Sequence, residues 1–291
     1  MIAKCQDPDP NPRPPRFKIP PGATDTHFHI FGPDDKYPLV ADRRFTPPQA
    51  SVASYVHLHK TLGLSRAVLV QPSSYGTDNR RQLDAAREMD FPTRVIVVVP
   101  PAIGDREMAE LYRQGARAVR FIPTQPGGLP LAQLEQYAER LAGMGWHLQL
   151  MLAPAHLIEL APRLQKLRCD FVIDHMGDIL AAQGTAQPAF QALLRLLDSG
   201  RCWTKLSAGY HASQLEPPYP DAIPLAHALV KTRPDRLLWG TDWPHANLMG
   251  PMPNSTEFLD LMLDWVPDEA TRNRILVDNP ARLYGFSSVI E

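Results

Sequence analysis

From Ala23 onward, short apolar runs rich in β-branched residues alternate with stretches in which apolar side chains recur every three or four positions. The runs lie at residues 23–31, 66–74, 94–100, 116–123, 147–153, 170–177, 202–208 and 236–242. Each is separated from the next by enough chain for one helix and two short loops, as a crossover between parallel strands requires. Helical periodicity is clearest at residues 51–62, 105–114, 131–144, 188–197 and 224–231. Eight such units predict an α/β protein with a (β/α)8 TIM barrel, whose usual size is ~250 residues. A doubly wound open sheet is the competing arrangement, but no glycine-rich phosphate-binding fingerprint follows the first run. The chain closes on Asn279-Pro280-Ala281-Arg282-Leu283-Tyr284-Gly285-Phe286. This predicts a short sealing helix with Asn279 as N-cap and Pro280 at its first position.

Residues 1–22 break the rhythm. They are proline-rich, hold almost nothing that could bury, and predict an extended arm around the body or its neighbour, with the folded domain spanning residues 23–291. Such an arm permits either a monomer or a homodimer. With 30 basic and 31 acidic side chains the net charge is −1, which argues against nucleic acid or an anionic membrane as partner. There is no apolar leader and no run of ~18 apolar residues, so the expected address is cytoplasmic. Cys5, Cys169 and Cys202 show no paired spacing, which favours packed thiols in a reducing compartment.

Chemistry concentrates where the apolar runs end. The first run carries Asp25-Thr26-His27-Phe28-His29; residues two apart on a strand share a side, so His27 and His29 both point into the barrel at its catalytic end. The same spacing in His57-Leu58-His59 falls in a helical stretch, where the two diverge into a solvated face. The sixth run ends Asp174-His175-Met176-Gly177, and strict alternation turns only one of Asp174 and His175 inward, taken here as His175. The eighth run brings Asp242 to the same end, followed by His245. On the fourth, Arg120 is a buried cation if it faces inward, and its planar fork then suits a substrate carboxylate or a protein acid. Ser73 and Tyr75 after the second run, and Lys205 and Ser207 on the seventh, are further candidate donors at the rim.

As a set, Asp-Thr-His-Phe-His-Ile-Phe at 25–31, Val-Arg-Phe at 119–121, Asp-His-Met-Gly at 174–177, Gly-Thr-Asp-Trp-Pro-His at 240–245 and Asn-Pro-Ala-Arg-Leu-Tyr-Gly at 279–285 resemble the amidohydrolase superfamily. The resemblance runs from Thr24 to Phe286 and is strongest to the branch of 2-pyrone-4,6-dicarboxylate lactonases and sugar-lactone hydrolases. It implies a lactonase-type hydrolase acting on a small carboxylated lactone. The superfamily's metal enzymes add a strand-five histidine and often a strand-four carboxylate or modified lysine. Here those positions hold Gln149 and Arg120, while His147 stands at the opposite end of its strand.

The resemblance therefore implies catalysis without a cofactor. Asp242 would act as general base on water, and His27, His29 and His175 would stabilise the oxyanion. Arg120, Ser73, Tyr75, Tyr37, Gln149, Lys205, Ser207 and His245 are the candidate substrate-binding residues. A lactonase for a dicarboxylate is expected to carry a second arginine after Arg120, but Pro123-Thr124-Gln125-Pro126-Gly127-Gly128 follows instead, which points to a monocarboxylate or a neutral ring. Two alternatives stay open. One is a zinc-dependent hydrolase or decarboxylase with His27, His29, His175 and Asp242 as ligands; the other is a non-catalytic barrel that binds a small acid.

Overall fold

The computed structural model describes residues 2–125, 128–246 and 248–287. Its strands in chain order are β1 Ala3–Lys4, β2 Thr24–Phe28, β3 Phe45–Thr46, β4 Arg66–Val70, β5 Thr93–Val97, β6 Ala116–Phe121, β7 His147–Leu150, β8 Phe171–Ile173, β9 Cys202–Leu206 and β10 Leu237–Trp239. Eight of these form one parallel sheet in the order β10-β9-β8-β7-β6-β5-β4-β2. Beyond β10 the chain closes the circle, with a parallel bridge between Phe28 and Trp243. Each predicted run overlaps one barrel strand, shorter than predicted because the catalytic-end residues leave the ladder for loops, and β5 begins one residue before its run, at Thr93. The fold is thus the expected (β/α)8 barrel.

Gly240 makes this closure possible. A β-carbon there would stand 2.7 Å from the His27 nitrogen and 2.8 Å from its β-carbon, so only glycine lets the two chain segments approach.

Helices α1 Val52–Thr61, α2 Arg80–Glu88, α3 Asp105–Arg113, α4 Leu134–Ala142, α5 Pro154–Leu164, α6 Pro188–Asp198, α7 Gly209–Ala212, α8 Ile223–Thr232, α9 Ser255–Asp260, α10 Met262–Trp265, α11 Glu269–Asn273 and α12 Asn279–Tyr284 fill the connections. Alternation sorts each strand's side chains. Leu69, Val95, Val119, Leu148, Phe171 and Leu237 join the large cluster under the helices. Val68, Val70, Ile96, Ala118, Val172, Trp203 and Leu238 form a second cluster inside the barrel, closed by Tyr284 and Phe286 of the last segment. Among the described residues no helix is long and apolar enough to cross a membrane.

Three expectations need correction. Asn279 is not an N-cap but the first residue of α12, because a π-helical turn, Arg274–Asp278, runs straight into that helix; its side-chain amide instead donates to the carbonyls of Pro234 and Leu237 at 2.8 and 2.7 Å. His57 is exposed as expected, but His59 is buried and stacks on Phe91 with ring centroids 3.7 Å apart. The arm also buries more than its composition promised. It runs along its own barrel: β1 pairs with β3, Cys5 is buried and donates to the Ala246 carbonyl, and the amides of Arg13 and Arg16 donate to Thr256 and Asp260.

Candidate active site

Above the apolar interior lies a polar layer, made on three strands by the residue two places further along the chain. Arg120 follows Ala118, Asp174 follows Val172, and Lys205 follows Trp203; Arg120 and Gln149 are register partners on β6 and β7. Arg120 is only 3% exposed, and Gln149, His27 and Lys205 are fully buried. Charges sealed this way persist only when paired. Asp174 supplies the pairing: its carboxylate accepts from Arg120 at 3.1 Å and Gln149 at 3.2 Å, and lies 3.3 Å from Lys205 and 3.4 Å from His27. Burial resists ionisation of Asp174, but Lys205, His27 and Arg120 together hold its pKa well below the usual carboxylate range. Strict alternation therefore fails at the end of β8. His175 adopts φ 51°, and the turned backbone sends both Asp174 and His175 inward.

Closure of the barrel assembles the next layer. The Asp242 amide donates to the His27 carbonyl, and the His29 amide donates to the Trp243 carbonyl, both at 2.8 Å. Asp25 ties the same segments together, accepting from the amides of His27 and Thr241 and from the hydroxyls of Thr241 and Tyr55. Asp242 has φ 59°, a left-handed conformation costly for a non-glycine residue and typical of functional loops. As a result Asp242 Oδ1 faces three imidazoles: His27 Nε2 at 3.5 Å, His29 Nε2 at 3.7 Å and His175 Nε2 at 3.7 Å. Its other oxygen accepts a hydrogen bond from the Tyr210 hydroxyl.

Neighbouring bonds set the protons. His29 Nδ1 lies 2.7 Å from the Val70 carbonyl, which can only accept, so Nδ1 carries the hydrogen and Nε2 presents a lone pair. Burial, reinforced by Arg120, lowers the His29 pKa to about 3. Lys205 is pulled down to about 8 by burial, against the attraction of Asp174, so it is cationic at neutral pH. It donates to His27 Nδ1 at 3.1 Å, a closer contact than Asp174 at 3.4 Å or Arg120 at 3.5 Å on the other nitrogen. Lys205 and Arg120 can only donate, so their contacts at the two nitrogens compete for the one lone pair of the neutral ring. His175 Nδ1 meets Ser207 Oγ at 2.9 Å. Asp242 is pushed up to about 6 by burial, with His211 and the Tyr210 hydroxyl pulling it down.

A cavity of about 460 Å³, counting its mouth, opens over this group. Its polar lining is His29, Ser73, Arg120, Gln125, His175, His211 and Asp242, and Phe31, Phe45, Ile122 and Met151 contribute apolar walls. Of the predicted residues, His27, Lys205 and Gln149 lie beneath the cavity rather than on it. Ser207 holds His175. Tyr75 accepts from the Gly32 amide, Tyr37 donates to Asp84 and His245 bonds Ser255; none of these three lines the cavity. In the loop after Arg120, Pro126 and Gly127 lie outside the described residues.

Sequence reasoning missed Tyr210 and His211. Both sit on α7, directly after the left-handed Ala208 with φ 49°; their only signal is two ring-bearing residues soon after a barrel strand. His27, His175 and Asp242 each have a donor atom within 4.8 Å of the others, a spacing that a metal ion could share.

Residues 24–286 match the amidohydrolase family. The 4-sulfomuconolactone hydrolase of Hydrogenophaga intermedia is 39% identical over 97% of this chain and 95% of its own. The 2-pyrone-4,6-dicarboxylate hydrolase of Comamonas testosteroni is 35% identical, over 94% and 93% respectively. A ligand-free crystal structure of an Agrobacterium tumefaciens protein, 31% identical, superposes with a TM-score of 0.87 over 94% of this chain and 100% of that one. Because the match runs through every barrel strand and every side chain that faces Asp242, the chain belongs to the amidohydrolase family.

Proposed function

We propose that this protein hydrolyses a lactone ring carrying at least one acidic group, with Asp242 as general base and without a metal ion. The observation that carries the reading is the left-handed Asp242, held by Tyr210 and facing three imidazoles at the floor of a cavity walled by Arg120. The two named relatives act, by their names, on a sulfomuconolactone and a pyrone dicarboxylate, which are rings bearing acidic substituents.

A carboxylate with pKa about 6 is ionised at neutral pH yet basic enough to take a proton from water. Asp242 Oδ1 and the His29 Nε2 lone pair both accept, so a water between them gives one hydrogen to each and aims its oxygen at the ring carbonyl. This assigns His29 to the nucleophile. His175 is left to donate to the developing oxyanion, in the tautomer where the Ser207 hydroxyl donates to Nδ1. His27 stays below, its Nε2 3.5 Å from Asp242. Arg120 faces the cavity with a cation only partly offset by Asp174, which Lys205 shares; it would draw in the acidic substituent.

The metal-free part of the reading is supported by the donor set. Three imidazoles and a carboxylate suit zinc in kind, but two cations crowd His27: Lys205 stands 3.1 Å from its Nδ1, and a metal would need the lone pair of Nε2. Arg120 lies 3.5 Å from that same nitrogen and would repel a dication. A monomer or a homodimer completes the reading.

The test is ultraviolet-monitored opening of carboxylated pyrones, muconolactones and sugar lactones by chelator-treated protein. Turnover supports the reading, silence reversed by zinc overturns its metal-free part, and silence on every ring with or without metal overturns the lactonase itself.

A further inference from the structure

Hydrolysis also needs a proton for the departing ring oxygen, and an imidazole paired with a second carboxylate lines the same cavity. His211 lines it beside Asp242, Arg120 and His175. Its Nδ1 lies 2.9 Å from Asp178 Oδ1, and the two side chains are 12% and 24% exposed. The carboxylate fixes the ring, as an acid partner orients a catalytic imidazole, and among the described residues Nε2 makes no hydrogen bond to protein. Asp178 itself is held at φ 51°, and His211 follows the left-handed Ala208 by three residues. Both loops are thus bent to bring the pair over the floor of the site, with ring centroids of His211 and His175 5.0 Å apart.

Resting on the lactone-hydrolase reading, we propose that His211 is the general acid for the leaving oxygen and Asp178 its positioning residue. Water adds to the carbonyl carbon and its proton passes to Asp242. The tetrahedral intermediate then collapses, the bond between carbonyl carbon and ring oxygen breaks, and its electron pair goes to the ring oxygen, which takes the proton of His211 Nε2. The proton on Asp242 passes through solvent to His211, restoring both groups, and the product acid ionises, so one proton is released per turnover. Burial opposes a charge on His211, but Asp178 outweighs it and raises the pKa, in keeping with an imidazole that starts the cycle protonated.

The experiment compares two lactones that the wild type opens, differing by an electron-withdrawing group on the carbon that bears the ring oxygen. A better leaving group needs less help from an acid. His211→Gln is expected to lose ~100-fold or more in kcat on the poorer leaving group and at least ~10-fold less on the better one. Asp178→Asn, which leaves the imidazole in place, should show the same trend with smaller losses. Equal losses on both rings in both folded variants, as a structural role would give, overturn the assignment, and so does full activity. A wild type that opens no lactone fails the lactonase reading instead, and is told apart by that result alone.

Discussion

Lys205 donates to His27 Nδ1 across 3.1 Å while also lying 3.3 Å from Asp174, and all three side chains are sealed from solvent. One ammonium thus braces an active-site imidazole and neutralises the acid beneath it. Removing one member of a buried ion pair costs 3–5 kcal/mol when the partner is stranded. Lys205→Met should cost about 3 kcal/mol, near the low end, because Asp174 keeps Arg120. Denaturant unfolding checks this. Adding Asp174→Asn to the first substitution should recover part of the loss, and strict additivity of the two would show that the pair is not coupled.

The pH profile of kcat/KM should rise through about 6 to a plateau, because Asp242 works only when ionised and burial holds its pKa there, and should fall again at higher pH as His211, whose pKa Asp178 raises, gives up its proton. A profile flat from pH 5 to pH 8 removes Asp242 from the role of base.

Tyr210→Phe should move that rise to higher pH. The hydroxyl stabilises the ionised carboxylate and so lowers its pKa; without it the proton is held more tightly. Activity on the plateau should stay within ~10-fold of wild type, since general-base assistance itself survives. A shift toward lower pH would contradict the assigned donor direction.

Asp242→Asn should abolish turnover by ~1000-fold or more and at the same time stabilise the fold at pH 8. The sign follows from the raised pKa. Above pH 6 the wild-type carboxylate is ionised in both folded and unfolded chains, and burial penalises that charge only in the folded one. A rise from 3.8 to about 6 corresponds to roughly 2–3 kcal/mol. Below the unfolded pKa both chains are protonated and the penalty vanishes. Thermal melts should therefore show the variant several degrees above wild type at pH 8 and level with it near pH 3.5.

The barrel was legible because its strands are apolar runs at crossover spacing, and the His27–His29 pair and Asp242 because they sit where those runs end. Asp174 was not, since period-two reasoning assumes that the strand continues, whereas β8 stops at Ile173 and His175 turns left-handed. Lys205 was placed on the correct strand but at the wrong depth: alternation tells which way a residue points and not whether it reaches the mouth or the layer beneath. Tyr210 and His211 belong to a four-residue helix, too short to leave any period, and their partnership with Asp242 and Asp178 exists only in three dimensions. Tyr37, Tyr75 and His245 show the converse, polar residues near strand ends whose partners are other protein groups.

The arm adds a matter of timing. Cys5 bonds Ala246, 241 positions away, and β1 pairs with Phe45–Thr46, so the arm fastens two segments that contribute Phe45 and Ala246 to the cavity wall. On a ribosome moving at 5–20 residues per second, the first half of this clasp waits roughly 10–50 s for the second. A nascent chain thus lacks a finished pocket wall until translation has passed residue 246. Proteolytic trimming ahead of Pro20 would later undo the same fastening without touching a single residue that faces substrate.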